Sequence, residues 1–171
     1  MQTRTGLAAF VAAVILFPVV AHAQAKPPEK VDFMGTAQSN ISSSVAIPEG
    51  AAWVWTSGTV PNVADRNAPA GSPQRYGDTK TQALSALAEV ETRLKARGLT
   101  MKDVVFLRCY LVPDKTKGNV MDFAGWNEAY GQYFNNATNP TKPTRSTLAV
   151  VALAGPDFLV EIEAVAVYPR M

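Results

Sequence analysis

Apolar residues recur along this chain with two different spacings, and each change of spacing marks a predicted element. Pro143 to Leu153 and Val160 to Val167 are rich in Val, Leu and Ile and read as strands, with Ala154-Gly155-Pro156-Asp157 as the turn between them. Val104 to Val112 is another apolar strand, interrupted by Arg108, which is either exposed or paired. Further upstream, Val45-Ala46-Ile47 and Trp53-Val54-Trp55-Thr56 flank Pro48-Glu49-Gly50, a pattern that predicts a hairpin. Helical spacing takes over twice. Ala83, Leu84, Leu87, Ala88 and Leu94 form one stripe, opened by a capping-box pattern at Thr79-x-x-Gln82 and stopped at Gly98. Phe123, Trp126, Tyr130 and Phe134 form a second, aromatic stripe, read as core. Residues 62–76 read as a long loop, 113–119 as a charged loop and 135–142 as a polar connection. The order β-β-α-β-α-β-β predicts an α+β fold, a mixed sheet with two helices on one face.

Polar residues stand in the last two strands where packing alone does not require them. Arg145 opens the first, and Glu161 and Glu163 share one face of the second, because side chains alternate with a period of two. A cation and two carboxylates on neighbouring strands make either a small polar site or a plain ion-pair patch.

The N-terminal end has a different character. Arg4 precedes the apolar run Leu7 to Val20, and Ala21-His22-Ala23 has the A-x-A form of a cleavage site. This pattern predicts a secretory signal peptide over 1–23 and export to the periplasm or the medium. The run is short for a membrane span, so no membrane association is expected after cleavage. Residues 24–40 are polar and Pro-containing, an extended lead-in to a single domain over 41–171.

Composition then narrows the chemistry. The 16 Lys and Arg against 14 Asp and Glu fall to 15 against 14 once Arg4 is removed. So even a balance offers no field for nucleic acid. The one histidine, His22, belongs to the leader, and Cys109 is the one cysteine. A Ser-His-Asp triad, a Cys-His dyad, a His/Cys zinc site and an intrachain disulfide are all excluded for the mature chain. Cys109 lies inside an apolar strand and reads as a buried core residue. No metal and no cofactor are expected.

The pattern Pro143-x-Arg145-Ser146-x-x-x-Val150-x-x-Leu153, followed by Val160-Glu161-Ile162-Glu163-Ala164-Val165-Ala166-Val167, closely resembles the C-terminal signature of the reactive-intermediate deaminases, the RidA/YjgF-like family. Thr56-Ser57-Gly58-x-Val60-Pro61 resembles the family's first-hairpin motif. Gln82-Ala83-Leu84 with Leu94-x-x-x-Gly98-Leu99-x-x-x-Asp103-Val104-Val105 resembles its first helix and following strand. Phe123-x-x-x-Asn127-x-x-Tyr130-x-x-Tyr133-Phe134 resembles its second helix. The likeness runs over residues 50–168. It implies the chorismate-mutase-like fold, assembled as a homotrimer with clefts between subunits.

The resemblance also implies an activity, hydrolysis of enamines and imines of the 2-aminoacrylate type to 2-oxo acids and ammonia, as in a 2-iminobutanoate/2-iminopropanoate deaminase. An iminium carbon is already electrophilic, so the protein must hold the substrate carboxylate, present a water and manage protons. Arg145 matches the family's carboxylate-binding arginine, whose planar fork suits that task. Glu161 matches its water-positioning glutamate. Ser57 matches a serine near the cleft that hydrogen-bonds substrate. Thr147 stands where many members carry cysteine, a position that acts largely through its backbone. Typical members also carry a tyrosine just before the first hairpin, where this chain has Ser42-Ser43-Ser44-Val45-Ala46. Two readings follow: an imine deaminase, or a non-catalytic trimeric binding protein for small carboxylates in the same clefts.

Overall fold

A computed structural model describes residues 26–169, and the leader assigned to 1–23 lies outside them. Eight regular elements follow in order: β1 (Asp32–Met34), β2 (Ser44–Ala46), β3 (Trp53–Trp55), α1 (Thr79–Lys95), β4 (Val104–Leu111), α2 (Phe123–Tyr133), β5 (Thr144–Ala149) and β6 (Val160–Val167). Strands β3–β6–β4–β5 form one mixed sheet in that order, with β4 and β5 parallel and the other pairs antiparallel. The parallel pair requires a crossover, and α2 supplies it.

Both helices lie on one face of the sheet. Leu107, Cys109 and Leu111 of β4 and Ile162, Ala164 and Ala166 of β6 meet Ala83, Leu87, Val90 and Leu94 of α1 and Trp126, Ala129 and Tyr130 of α2 in one buried cluster. Each large apolar side chain buried there stabilises the fold by roughly 1.5–3 kcal/mol. On α1 Ala83, Leu87 and Leu94 follow the helical repeat predicted above, while Ala88 of that stripe is exposed. The aromatic stripe of α2 is core from Trp126 to Phe134, but Phe123, the first residue of the helix, is exposed.

The caps differ in detail from the sequence reading. Asp78, not Thr79, caps α1: its carboxylate accepts the Thr81 N–H at 2.9 Å. Gln82 does not reach back to the cap. Its buried amide donates to the carbonyls of Gly77 and Asp157 and accepts the Leu159 N–H, so it ties the helix start to the loop before β6. A true capping box forms instead at Thr100 and Asp103. Gly98 ends α1 as predicted, with φ near +74° that a side chain disfavours.

The first hairpin is also different. Val45 and its neighbours do not pair with β3. β2 pairs antiparallel with β1, which lies within the segment read as an extended lead-in. Phe33 of β1 and Val45 of β2 pack against Val105, Val165 and Val167 on the face away from the helices. The remainder of that face is open, with Trp53 and Trp55 of β3 and Leu148 of β5 exposed.

Candidate functional site

Arg145 is the second residue of β5, an edge strand. Its register partner is Leu107, a helix-face residue of β4, so the arginine side chain turns toward α2. There the guanidinium lies over the Tyr130 ring at 4.6 Å and the Trp126 ring at 5.4 Å. Nη2 donates to Asn127 Oδ1 at 2.9 Å. Nη1 is buried and has no hydrogen-bond partner. Among the described residues no carboxylate pairs with Arg145. Burial lowers its pKa from the usual arginine value, yet a guanidinium stays charged at any ordinary pH.

The neighbours hold this cation in place. Tyr130 is a core residue whose hydroxyl donates to the Asn40 carbonyl at 2.9 Å, and burial pushes its pKa up to about 12. Trp126 donates its indole N–H to Thr147 Oγ1 at 3.2 Å. The Thr147 hydroxyl therefore fixes the ring beneath Arg145. The Val150 N–H is spent on the Leu111 carbonyl at 2.9 Å, and backbone groups alternate along a strand. The N–H groups of Arg145 and Thr147 thus face the free edge of the sheet. Cys109, the register partner of Thr147, is fully buried, and burial pushes its thiol pKa up, as a core cysteine requires.

Glu161 lies elsewhere. It faces the opposite side of the sheet, in register with Tyr110. β4 also stands between β5 and β6, so the neighbouring-strand arrangement expected for Arg145 and the two glutamates does not form. The ion pair of this region joins Arg108 to Glu163 at 2.9 Å, with Tyr110 donating its hydroxyl to the same carboxylate at 3.5 Å. Among the described residues Glu161 has neither ion pair nor hydrogen bond. Its carboxylate lies against Gly58, where a Cβ would overlap it. The chain reaches this place because Thr59 bridges to Ile162 through backbone bonds of 2.9 and 3.0 Å. Ser57 is beside it, exposed, with its carbonyl accepting the Thr59 hydroxyl at 3.1 Å.

The structure therefore gathers the candidate residues into two half-sites. One is a cationic half of Arg145, Thr147 and Asn127 on an aromatic floor. The other is an acidic half of Glu161 and Ser57 at the Gly58 turn. Asn127 was not among the site residues read from the sequence. Its signal was there in the spacing, because Asn127 and Tyr130 are three apart on a helix and share a face.

Comparison with known proteins agrees with this arrangement of strands and helices. The family model described as Endoribonuclease L-PSP matches residues 38–168. A RutC family protein of Pyrococcus horikoshii is 36% identical over 90 residues, 53% of this chain and 63% of that protein. The chain thus spans a little under two thirds of the length of the curated relatives it matches. Among solved structures, Escherichia coli TdcF with bound serine is 32% identical, with a TM-score of 0.52 over 71% of this chain and 84% of that one. The YjgF gene product of E. coli is 30% identical, with a TM-score of 0.51 over the same shares. The fold is that of the chorismate-mutase-like α+β proteins. The chain belongs to the Endoribonuclease L-PSP family, the RidA/YjgF-like proteins.

Proposed function

We propose that copies of this chain associate as a homotrimer and join the Arg145 half-site of one subunit to the Glu161 half-site of the next, forming a cleft that hydrolyses small 2-imino acids. The observation that carries this reading is the guanidinium of Arg145. It is partly buried on aromatic rings, one of its nitrogens has no partner, and no carboxylate of the described chain meets it. Burying a cation is costly unless something pairs with it, and a substrate carboxylate supplies that partner. The bound serine of the E. coli relative is a ligand of the same chemical kind.

In this scheme the carboxylate lies on the Arg145 fork and the edge N–H of Thr147, with Ser57 as a further hydrogen bond. Glu161 orients a water toward the imine carbon. The water oxygen bonds to that carbon, the C=N becomes a carbinolamine, and the C–N bond then breaks. The products are a 2-oxo acid and ammonia, and Glu161 passes the proton from water to the leaving nitrogen. Asn127 holds the guanidinium in place and is a positioning residue.

Support for the trimer comes from the open sheet face, where exposed Trp53, Trp55 and Leu148 form apolar surface suited to burial by another copy. The leader-like pattern of residues 1–23 supports an exported protein, with this activity in the periplasm or the medium. The second reading, a binding protein for small carboxylates, is favoured by one observation: the chain entering β2 carries Ser42-Ser43-Ser44 where the family resemblance implies a tyrosine. A coupled assay of 2-iminopropanoate hydrolysis by the mature protein, with light scattering for its mass, separates these outcomes. Trimer with turnover supports the deaminase, and trimer that binds 2-oxobutanoate without turnover supports the binding protein. A monomer removes the cleft altogether.

A further inference from the structure

The edge strand β5 continues past the Arg145 half-site on the same side of the sheet. Arg145, Thr147 and Ala149 alternate onto that side, because their register partners Leu107, Cys109 and Leu111 all belong to the core under the helices. The Ala149 N–H also faces the free edge, since the next one, from Val150, goes to the Leu111 carbonyl. Helix α2 follows the same line in reverse. Asn127 accepts from Arg145, and Trp126 donates to Thr147. Met121, two residues before the helix, then stands with Ala149 in the wall of a groove of about 430 Å³.

This groove is mostly apolar. Val112, Pro113, Met121, Ala149 and Val151 make up most of its wall. Ala149 is exposed and Val151 is 97% exposed, so the far end of the wall leaves apolar surface in water. Lys115 and Asn119 are its polar side chains, and no carboxylate lines it, so an anion held on Arg145 meets no repulsion there. The distances suit a substrate side chain. Ala149 lies two residues beyond Thr147, about 7 Å at the rise of a strand. An isobutyl group on a 2-imino acid extends about 5 Å from the carboxylate through bonds of roughly 1.5 Å, enough to bring its methyls against Ala149.

We propose that this groove takes the substrate's side chain, so that the preferred 2-imino acids carry a branched apolar group, as in 2-imino-4-methylpentanoate, rather than the methyl of 2-iminopropanoate. The inference rests on the carboxylate-binding role proposed for Arg145 and adds to it the direction in which the ligand extends.

The test compares two acids by two readouts on the protein of residues 24–171. Imines of leucine and of alanine, generated by an L-amino-acid oxidase, give the ratio of kcat/KM. The matching 2-oxo acids, 4-methyl-2-oxopentanoate and 2-oxopropanoate, give the ratio of Kd by calorimetry. A methylene in an apolar pocket discriminates by about tenfold or more, so the branched acid should be favoured at least about tenfold in each. Ala149→Trp fills the near end of the groove from an exposed position and should bring both ratios to within about twofold of one. Ala149→Gln, smaller and polar, is the second variant and should lower them in the same direction. Arg145→Lys should weaken both acids alike and keep the ratio. The same preference in binding without turnover upholds the groove in a binding protein. Equal affinities in the parent, as when another copy covers the groove, overturn the proposal and leave the Arg145 reading standing, as does an undiminished preference in both Ala149 variants. Failure to bind or turn over either acid overturns both readings.

Discussion

Replacing Arg145 with lysine separates a functional cation from a structural one. The parent guanidinium gains one hydrogen bond to Asn127 at 2.9 Å and lies over two rings, at 4.6 and 5.4 Å. Those contacts are worth about 1.5–3 kcal/mol for the bond, whose donor is charged, and about 0.5–2 kcal/mol for the cation over the rings. Against them stands the unpaired, buried Nη1, which costs about 1–3 kcal/mol. The unpaired nitrogen offsets part of that gain, and a lysine ammonium keeps a charge near the rings, so Arg145→Lys should change folding stability by about 1 kcal/mol, read as a shift in the urea midpoint at constant slope. The ligand feels the change more. Lysine keeps the charge but loses the two parallel donors that match a carboxylate, a loss of roughly 2–3 kcal/mol. That corresponds to a fall of about 30- to 150-fold in kcat/KM for 2-iminopropanoate, or in affinity for 2-oxobutanoate. Arg145→Met extends the comparison: it removes the buried charge, so it should be at least as stable as the parent while binding no carboxylate. Unchanged hydrolysis and unchanged carboxylate affinity in a folded Arg145→Lys protein would refute the reasoning. A loss of several kcal/mol in stability for Arg145→Met would show that the arginine serves the fold.

Glu161→Gln should leave carboxylate affinity within about twofold, since no ion pair is broken, while turnover falls roughly 100-fold or more, the usual weight of a general acid–base group; equal loss in both would place Glu161 in binding instead. Asp78→Ala should destabilise the protein by about 1 kcal/mol at neutral pH through loss of the α1 cap. The Asp78 carboxyl is held below its ordinary range, chiefly by the Thr81 N–H and then by the Thr81 hydroxyl and Lys117. A depressed carboxylate pKa stabilises the fold above the unfolded value of about 3.9 and ceases to as pH falls through the folded one. The stability gap between parent and Asp78→Ala should therefore shrink as pH falls below about 4, and a gap that stays constant in urea titrations from neutral pH into acid would contradict the cap's titration. N-terminal sequencing of the protein recovered from an exporting host should begin at Gln24, and an intact Met1 in the membrane fraction would contradict cleavage after Ala23.

Periodicity sufficed for much of this protein. The spacing of Ala83, Leu87 and Leu94 and of Trp126, Tyr130 and Phe134 marks both helices and the faces they bury, because helical neighbours on one stripe must share a core. Alternation in Val160 to Val167 likewise put Glu161 and Glu163 on one face, where the structure has them. Residues 24–171 hold no histidine and one cysteine, so the residue inventory excluded histidine catalysis and an intrachain disulfide within them without any coordinates. Strand order was beyond its reach. β5 and β6 follow each other in the chain, and only long-range pairing inserts β4 between them and turns Arg145 and Glu161 to opposite faces. Local pattern specifies which residues alternate, but not which strand supplies the next ladder of hydrogen bonds. The same limit explains β2, which read as half of a hairpin with β3 and instead pairs with β1, over hydrophobic contacts far apart in sequence. It explains Gln82 as well, an apparent capping residue whose amide is drawn away by the loop at Asp157 and Leu159. Each of these choices is made by groups distant along the chain that must satisfy one another once buried, and that is the information tertiary structure adds.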